Sequence, residues 1–347
     1  MWSLLLTLNR NLFLAIPAML LLGFGCGVLC DPGPLRHAIV PLTFLMVYPM
    51  MVTLKVRKVF QRGGGKAQWL AQIINFGFIP FAALGVGRLF FPDEPYLALG
   101  LLLAGLVPTS GMTISWTGFA KGDVEAAVKM TVIGLILGSL ATPVYLKLLM
   151  GANIDMDLPL VVRQILWIVF LPMAAGHLTQ SLPLSRYGRE AFQQRMAPRF
   201  PALSTLGVLG IVFVAMALKA RSVLQSPQML LALFAPLLVL YALNFALSTW
   251  IGKRLLPRGE AIALVYGTVM RNLSIALALA INAFGPQGAG AALVVALAYV
   301  VQVQAAAWYM RYTDRIFGTA GTVPAGGALP AAVETAVAGV TQEGKVS

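Results

Sequence analysis

Two short polar runs inside otherwise apolar sequence carry the residues able to do chemistry. The first, Leu106-Val107-Pro108-Thr109-Ser110-Gly111-Met112-Thr113, interrupts an apolar stretch from Tyr96 to Phe119. The second, Tyr266-Gly267-Thr268-Val269-Met270-Arg271-Asn272-Leu273-Ser274, interrupts the stretch from Ala261 to Phe284. Thr109, Ser110, Thr113, Thr268 and Ser274 offer hydroxyls, Asn272 an amide, and Arg271 a planar fork of N–H donors that matches a carboxylate or oxyanion. Pro108 removes a backbone donor and Gly111 loosens the chain, so a helix carrying the first run breaks there. Its second half is expected to start near Thr109 or Ser110, either a good N-cap, with N–H groups aimed at an anion. Thr109, Ser110, Gly111, Thr113, Arg271, Asn272 and Ser274 are therefore the candidate residues for an anionic solute, and Thr268 with Asn272 for an accompanying ion. The plainer alternative for the first run is a proline kink that packs against a neighbour, since Pro and Gly are common in membrane helices.

These runs need elements that hold them away from water. A hydrophobic fraction of 59%, 11% charged residues and a mean hydropathy of +0.83 exclude an ordinary soluble domain. Leu12 to Cys30 is followed by Asp31-Pro32-Gly33-Pro34 instead of a small-residue cleavage pattern and reads as a first span. Nine further apolar runs follow: Ile39 to Leu54, Trp69 to Phe91, Tyr96 to Phe119, Val124 to Leu149, Leu160 to Leu182, Phe200 to Leu218, Met229 to Gly252, Ala261 to Phe284 and Ala289 to Met310. The expected fold is an all-α polytopic membrane protein with ten transmembrane helices in residues 1–317, and residues 318–347 form a disordered cytoplasmic tail.

The net charge of +13 is topological and does not point to nucleic acid. Arg10, Lys55, Arg57, Lys58, Arg62, Lys66, Lys121, Arg254 and Arg258 are among the many bases on one side of this topology, while the other holds fewer, Arg36, Arg88, Lys147, Arg163, Lys219 and Arg221, with the acids Asp93, Glu94, Asp155 and Asp157. The positive-inside rule puts both termini in the cytoplasm and the chain in a cell membrane, plasma or bacterial inner. Leu54-Lys55-Val56-Arg57-Lys58-Val59 ends the second span and Leu218-Lys219-Ala220-Arg221-Ser222-Val223 the seventh. Five spans separate them, so two inverted five-helix repeats, about residues 1–150 and 155–317, are expected. The broken spans four and nine then occupy matching places in the two repeats, which is the sequence pointer to a transporter's binding site.

Arg271 stands near the middle of its span, where insertion costs about 2.5 to 3.5 kcal/mol. Every Asp and Glu falls in a loop, at a span end or in the tail. The guanidinium must then meet backbone carbonyls, side chains such as Asn272 and Thr109, or a solute anion; a structural clamp on freed carbonyls is the alternative to a direct solute role. His177 and Lys129 are the other titratable groups expected to be buried, Lys129 paired with Glu125 one turn before it. Asn75, Asn244, Gln302 and Gln304 lie within spans, either bonding helix to helix or lining a path. Cys26 and Cys30 are expected to pack in the core, and no metal set is present. With no HExxH, GxSxG or paired intramembrane acids, an intramembrane enzyme is not expected, and a receptor would not need two broken helices.

Phe44-Leu45-Met46-Val47-Tyr48-Pro49-Met50-Met51, together with Met112, Trp116, Ala120, Gly122 and Asp123, resembles the bile acid:sodium symporter superfamily, nearer its arsenical-resistance carriers than its bile-acid carriers. The resemblance implies a panel domain and a core domain with the site where two broken helices cross, and the transport of a small anion or oxyanion, arsenical export first. Sodium-coupled uptake of an organic anion is the alternative it implies. Thr109 takes the place where arsenite carriers hold a cysteine. Gly267 and Ser274 fall where sodium-coupled members and arsenite carriers, respectively, hold an acid. Arg271 falls at a sodium-site glutamine, which implies weakened or absent sodium dependence and no other cofactor.

Overall fold

The computed structural model describes residues 12–53, 65–151, 154, 157–192, 197, 199–225 and 228–319. Arg10, the basic stretch 54–64 with the first Leu-Lys-Val-Arg copy, Asp155 and the expected tail from 320 onward lie outside them. Regular structure among the described residues is helical. In chain order it comprises α1 (Leu12–Leu29), a 3-10 turn (Gly33–Ala38) and α2 (Ile39–Val52). Next comes α3, made of Gly65–Gln72, a π-helical segment Ile73–Phe78 and Ile79–Phe90, then α4 (Pro95–Leu106), α5 (Met112–Phe119) and α6 (Val124–Met150). After them come α7, made of Leu158–Ile165, a π segment Leu166–Phe170 and Leu171–Ala191, and α8 (Arg199–Gln225), α9 (Gln228–Leu255), α10 (Arg258–Val269), α11 (Leu273–Phe284) and α12 (Gly288–Phe317).

Seven stretches among the described residues are long and apolar enough to cross a bilayer: Gly33–Val52, Gly65–Phe90, Val124–Met150, Leu158–Ser181, Arg199–Arg221, Ala232–Leu255 and Gly288–Phe317. Leu14–Leu29, Pro95–Leu106 and Leu273–Phe284 are shorter apolar helices. Large apolar side chains such as Leu21, Leu89, Leu148 and Trp167 are exposed on outer faces, as lipid requires. The molecule is a polytopic helical membrane protein.

Lipid gives helices no hydrophobic reason to associate, so close packing through small residues holds them together. A Cβ on Gly23 or Gly27 of α1 would come within 2.5 or 2.2 Å of the Phe213 or Ala217 carbonyl of α8. Gly207 of α8 lies equally close to Met46 of α2, and Gly100 of α4 to Ala291 of α12. Helix α8 packs on α1 and α2, and α7 on α2, while α4 and α11 lie on α12, and α10 on α9. Asp123 caps α6, its Oδ1 accepting from Glu125 and Ala126 N–H, and Lys129 pairs with Glu125 at 3.0 Å as its spacing implies.

Two expectations of burial fail. His177 is exposed on the outer face of α7 beside the exposed Leu178, and Cys30 is exposed at the end of α1. Their spans are apolar on every side, so the sequence carries no contrast between the face against protein and the face against lipid.

Candidate functional site

Helix α4 ends at Leu106 and α5 begins at Met112; α10 ends at Val269 and α11 begins at Leu273. The two interruptions pair as a short antiparallel ladder. Ser110 N–H donates to the Met270 carbonyl (2.8 Å), Asn272 N–H to the Pro108 carbonyl (2.7 Å), and Thr109 stands opposite Arg271. Backbone groups freed inside a membrane cost several kcal/mol each if unmet, and here each break supplies the other's partners. The ladder also corrects the expected start of the second half-helix. It holds Thr109 and Ser110 extended, so the helix resumes at Met112, with Ser110 Oγ accepting from Met112 N–H (3.2 Å).

Side chains alternate across extended backbone, and directly opposed residues share a face. Thr109 and Arg271 therefore leave the ladder on one face, Ser110 and Asn272 on the other. The second face meets α2. Asn272 Nδ2 is 4.0 Å from Met50 Sδ, and a Cβ on Gly111 would lie 3.8 Å from Met50 Cε. Asn272 Oδ1 accepts from Ile275 N–H (3.4 Å), capping α11. The N-terminal ends of α5 and α11, each a concentration of partial positive charge, thus flank this face.

On the other face, Thr109 Oγ1 donates to the Gly267 carbonyl (3.2 Å), and Asn75 Nδ2, from the π segment of α3, donates to the same carbonyl (3.3 Å). The Arg271 side chain is 2% exposed. Its Nη1 reaches the Val107 carbonyl at 3.5 Å, the outer limit of a hydrogen bond, and its Nε and Nη2 have no partner. Among the described residues no carboxylate lies within ion-pairing distance of it; elsewhere Lys129 pairs with Glu125 and Arg258 with Asp314. The backbone of Arg271 is held firmly: its N–H donates to Gln302 Oε1 (2.9 Å) and its carbonyl accepts from Gln302 Nε2 (3.2 Å).

The remaining candidates tie helices together. Thr113 Oγ1 donates to the Tyr266 carbonyl (3.1 Å), Thr268 Oγ1 bonds Ser248 Oγ (2.7 Å), and Ser274 Oγ bonds Tyr299 OH (2.5 Å). Of the in-span amides, Asn75, Asn244 and Gln302 are buried at the crossing and Gln304 is exposed. Sequence reasoning missed Tyr241, whose hydroxyl donates to Gln302 Oε1 (3.0 Å), and Ser248. Their signal is a polar stripe, Tyr241, Asn244 and Ser248 at helical spacing on one face of α9. No group of His, Cys, Asp and Glu among the described residues is placed to hold a metal.

Comparison with known proteins bears on this geometry. Residues 40–226, more than half the chain, match the Sodium Bile acid symporter family. The uncharacterized protein YbaS of Bacillus subtilis is 30% identical over 220 residues, covering 63% of this chain and 70% of that protein. The arsenical-resistance protein Acr3 of Alkaliphilus metalliredigens is 23% identical over 288 residues, 79% of this chain and 80% of its own, in keeping with the arsenical-resistance likeness of the sequence. An uncharacterized sodium-dependent transporter of Bacillus subtilis, YocS, is 26% identical over 221 residues, 62% of this chain and 65% of its own. Helical membrane architecture, matched family and curated relatives agree that the chain belongs to the Sodium Bile acid symporter family, whose members are membrane transporters.

Proposed function

We propose that the protein is a secondary carrier of a small anion or oxyanion that works from the crossing of its two broken helices. The observation that carries this reading is the ladder itself, a polar crossing flanked by two helix N-termini and backed by a buried guanidinium with no carboxylate in reach among the described residues. Ser110, Gly111 and Asn272 would contact the solute on the face toward Met50. Thr109 and Arg271 would set the charge from behind, and Thr113 and Ser274 would hold the half-helices in register. In this reading the chain has ten spans. Helices α4 and α5 together form the fourth and α10 and α11 the ninth, in inverted repeats of about residues 1–150 and 155–317 with both ends and a 318–347 tail in the cytoplasm of a cell membrane.

Among solutes, an arsenical is first to test, because Acr3 relatives carry arsenical resistance in their names. Thr109 offers an oxygen there and no thiol, so other oxyanions belong in the same panel. Uptake of an organic anion with sodium is the second reading, favoured by the name of YocS. The test is counterflow in proteoliposomes loaded in turn with arsenite, other oxyanions and small carboxylates. We expect saturable exchange of at least one of them, abolished in Arg271→Ala at normal membrane insertion and partly restored in Arg271→Lys, which keeps the charge without the fork. Full transport by Arg271→Ala would refute the anion site.

A further inference from the structure

Membership of this family raises sodium as a companion ion, and the residues at the crossing do not fit one. In carriers built on broken helices, unwound carbonyls and the C-terminal ends of half-helices are what coordinate sodium. Helices α4 and α10 both end at the ladder, each bringing the partial negative charge of a helix C-terminus. The face that carries Thr109 adds the Gly267 carbonyl, the Thr109 hydroxyl and Asn75 Oδ1, a buried acceptor with no donor. This is an electronegative setting for a cation, with no carboxylate among the described residues that pairs with Arg271. Arg271 leaves the ladder on the same face and brings a fixed cation to this side: its guanidinium is buried and reaches the Val107 carbonyl just past the end of α4, with two nitrogens unpartnered. A second cation beside it would meet like-charge repulsion at low dielectric.

We infer that Arg271 is a tethered cation standing where a mobile coupling ion would otherwise bind, so that the crossing carries its positive charge as part of the chain. This rests on the reading of the crossing as the transport site. It implies that removing the guanidinium leaves an electronegative hole that recruits a free cation. A protein indifferent to sodium would become one that needs it.

The test is thermal unfolding of the purified full chain in detergent, at matched ionic strength in sodium, potassium or choline chloride, and with dilute guanidinium chloride as a chemical replacement. The parent protein should melt at the same temperature in sodium and choline. Arg271→Ala and Arg271→Gln should melt lower in choline and rise saturably by several degrees with sodium or guanidinium once the ion exceeds its Kd about a hundredfold. Arg271→Lys should behave like the parent. Saturable sodium stabilisation of the parent, or Ala and Gln variants as stable as the parent and blind to every cation, overturns the inference. If neither neutral variant folds in any salt, a folded, sodium-indifferent Arg271→Lys supports the requirement for charge, and an unfolded one overturns it. None of these readings needs a transported solute. A sodium-indifferent parent that moves no anion would sink the carrier reading alone.

Discussion

Asn272 caps α11 and also presents its amide to the space beside Met50, and two substitutions separate these roles. The Oδ1 to Ile275 N–H distance of 3.4 Å is long for a hydrogen bond. The cap is therefore worth the lower part of its usual range, about 0.5 to 1 kcal/mol. Asn272→Ala should lose that much and melt about 1 to 2 °C lower. Asn272→Ser should melt within about 1 °C of the parent, because serine caps about as well as asparagine. The amide nitrogen is a different matter. Its protein contact is the Met50 sulfur at 4.0 Å, a weak acceptor, so the resting protein loses almost nothing when Nδ2 is removed. A solute anion that accepts from Nδ2 would lose a charge-assisted hydrogen bond of about 1.5 to 3 kcal/mol. At about 1.4 kcal/mol per tenfold, both variants should raise KM by about 10- to 100-fold.

The assay pairs melting curves with counterflow kinetics on the same preparations. Serine is the decisive variant: normal melting with impaired transport assigns the amide to the solute. Normal melting with the parent's KM would show that Asn272 is a helix cap and nothing more, and the face toward Met50 would lose its role.

Gly27→Ala should cost about 1 to 3 kcal/mol in melting experiments, because its Cβ would stand 2.2 Å from the Ala217 carbonyl. Gly25→Ala on the same helix meets nothing within 4 Å and should be near neutral; equal effects at both positions would refute close packing of α1 on α8. For orientation, single cysteines in a background without Cys26 and Cys30 should be labelled from outside at Asp93 but not at Glu260, and the reverse pattern would overturn both the topology and the inverted repeat.

The two breaks were legible in the sequence because Pro108, Gly111, Gly267 and Arg271 do not belong in an apolar helix, and a run that contains them has to be satisfied by something other than lipid. That Arg271 would lack a carboxylate partner followed from a census of twelve acids, all of which the sequence pattern puts in loops, at span ends or in the tail, and among the described residues none pairs with it. What could not be read was orientation within a span. His177, Cys30 and Gln304 sit on outer faces, yet in a lipid-facing helix an outer position carries no polar signature of its own. Tyr241 and Ser248 escaped notice for a related reason: each is unremarkable alone, and only the fold brings them to Gln302 and Thr268.

The pairing of the breaks is the deeper case, because everything proposed for the site depends on its register. Slipping the ladder by one residue would exchange its faces, sending the Arg271 side chain toward Met50 and Asn272 behind. The constraint lies in neighbouring helices. In α6, a Cβ on Gly134 would stand 2.5 Å from Thr109 Oγ1 and one on Gly138 2.9 Å from Pro108 Cα, so the first break fits against this surface in its present position. In α12, Gln302 holds both the N–H and the carbonyl of Arg271, a two-point grip that a slipped strand would break. Buried polar groups lose more when left unpaired than they gain when paired, so this grip penalises the wrong register more strongly than it stabilises the right one. In the proposed reading, the side of the crossing that faces a solute and the side that carries the fixed charge are thus held apart by two glycines and a glutamine on helices outside the broken spans.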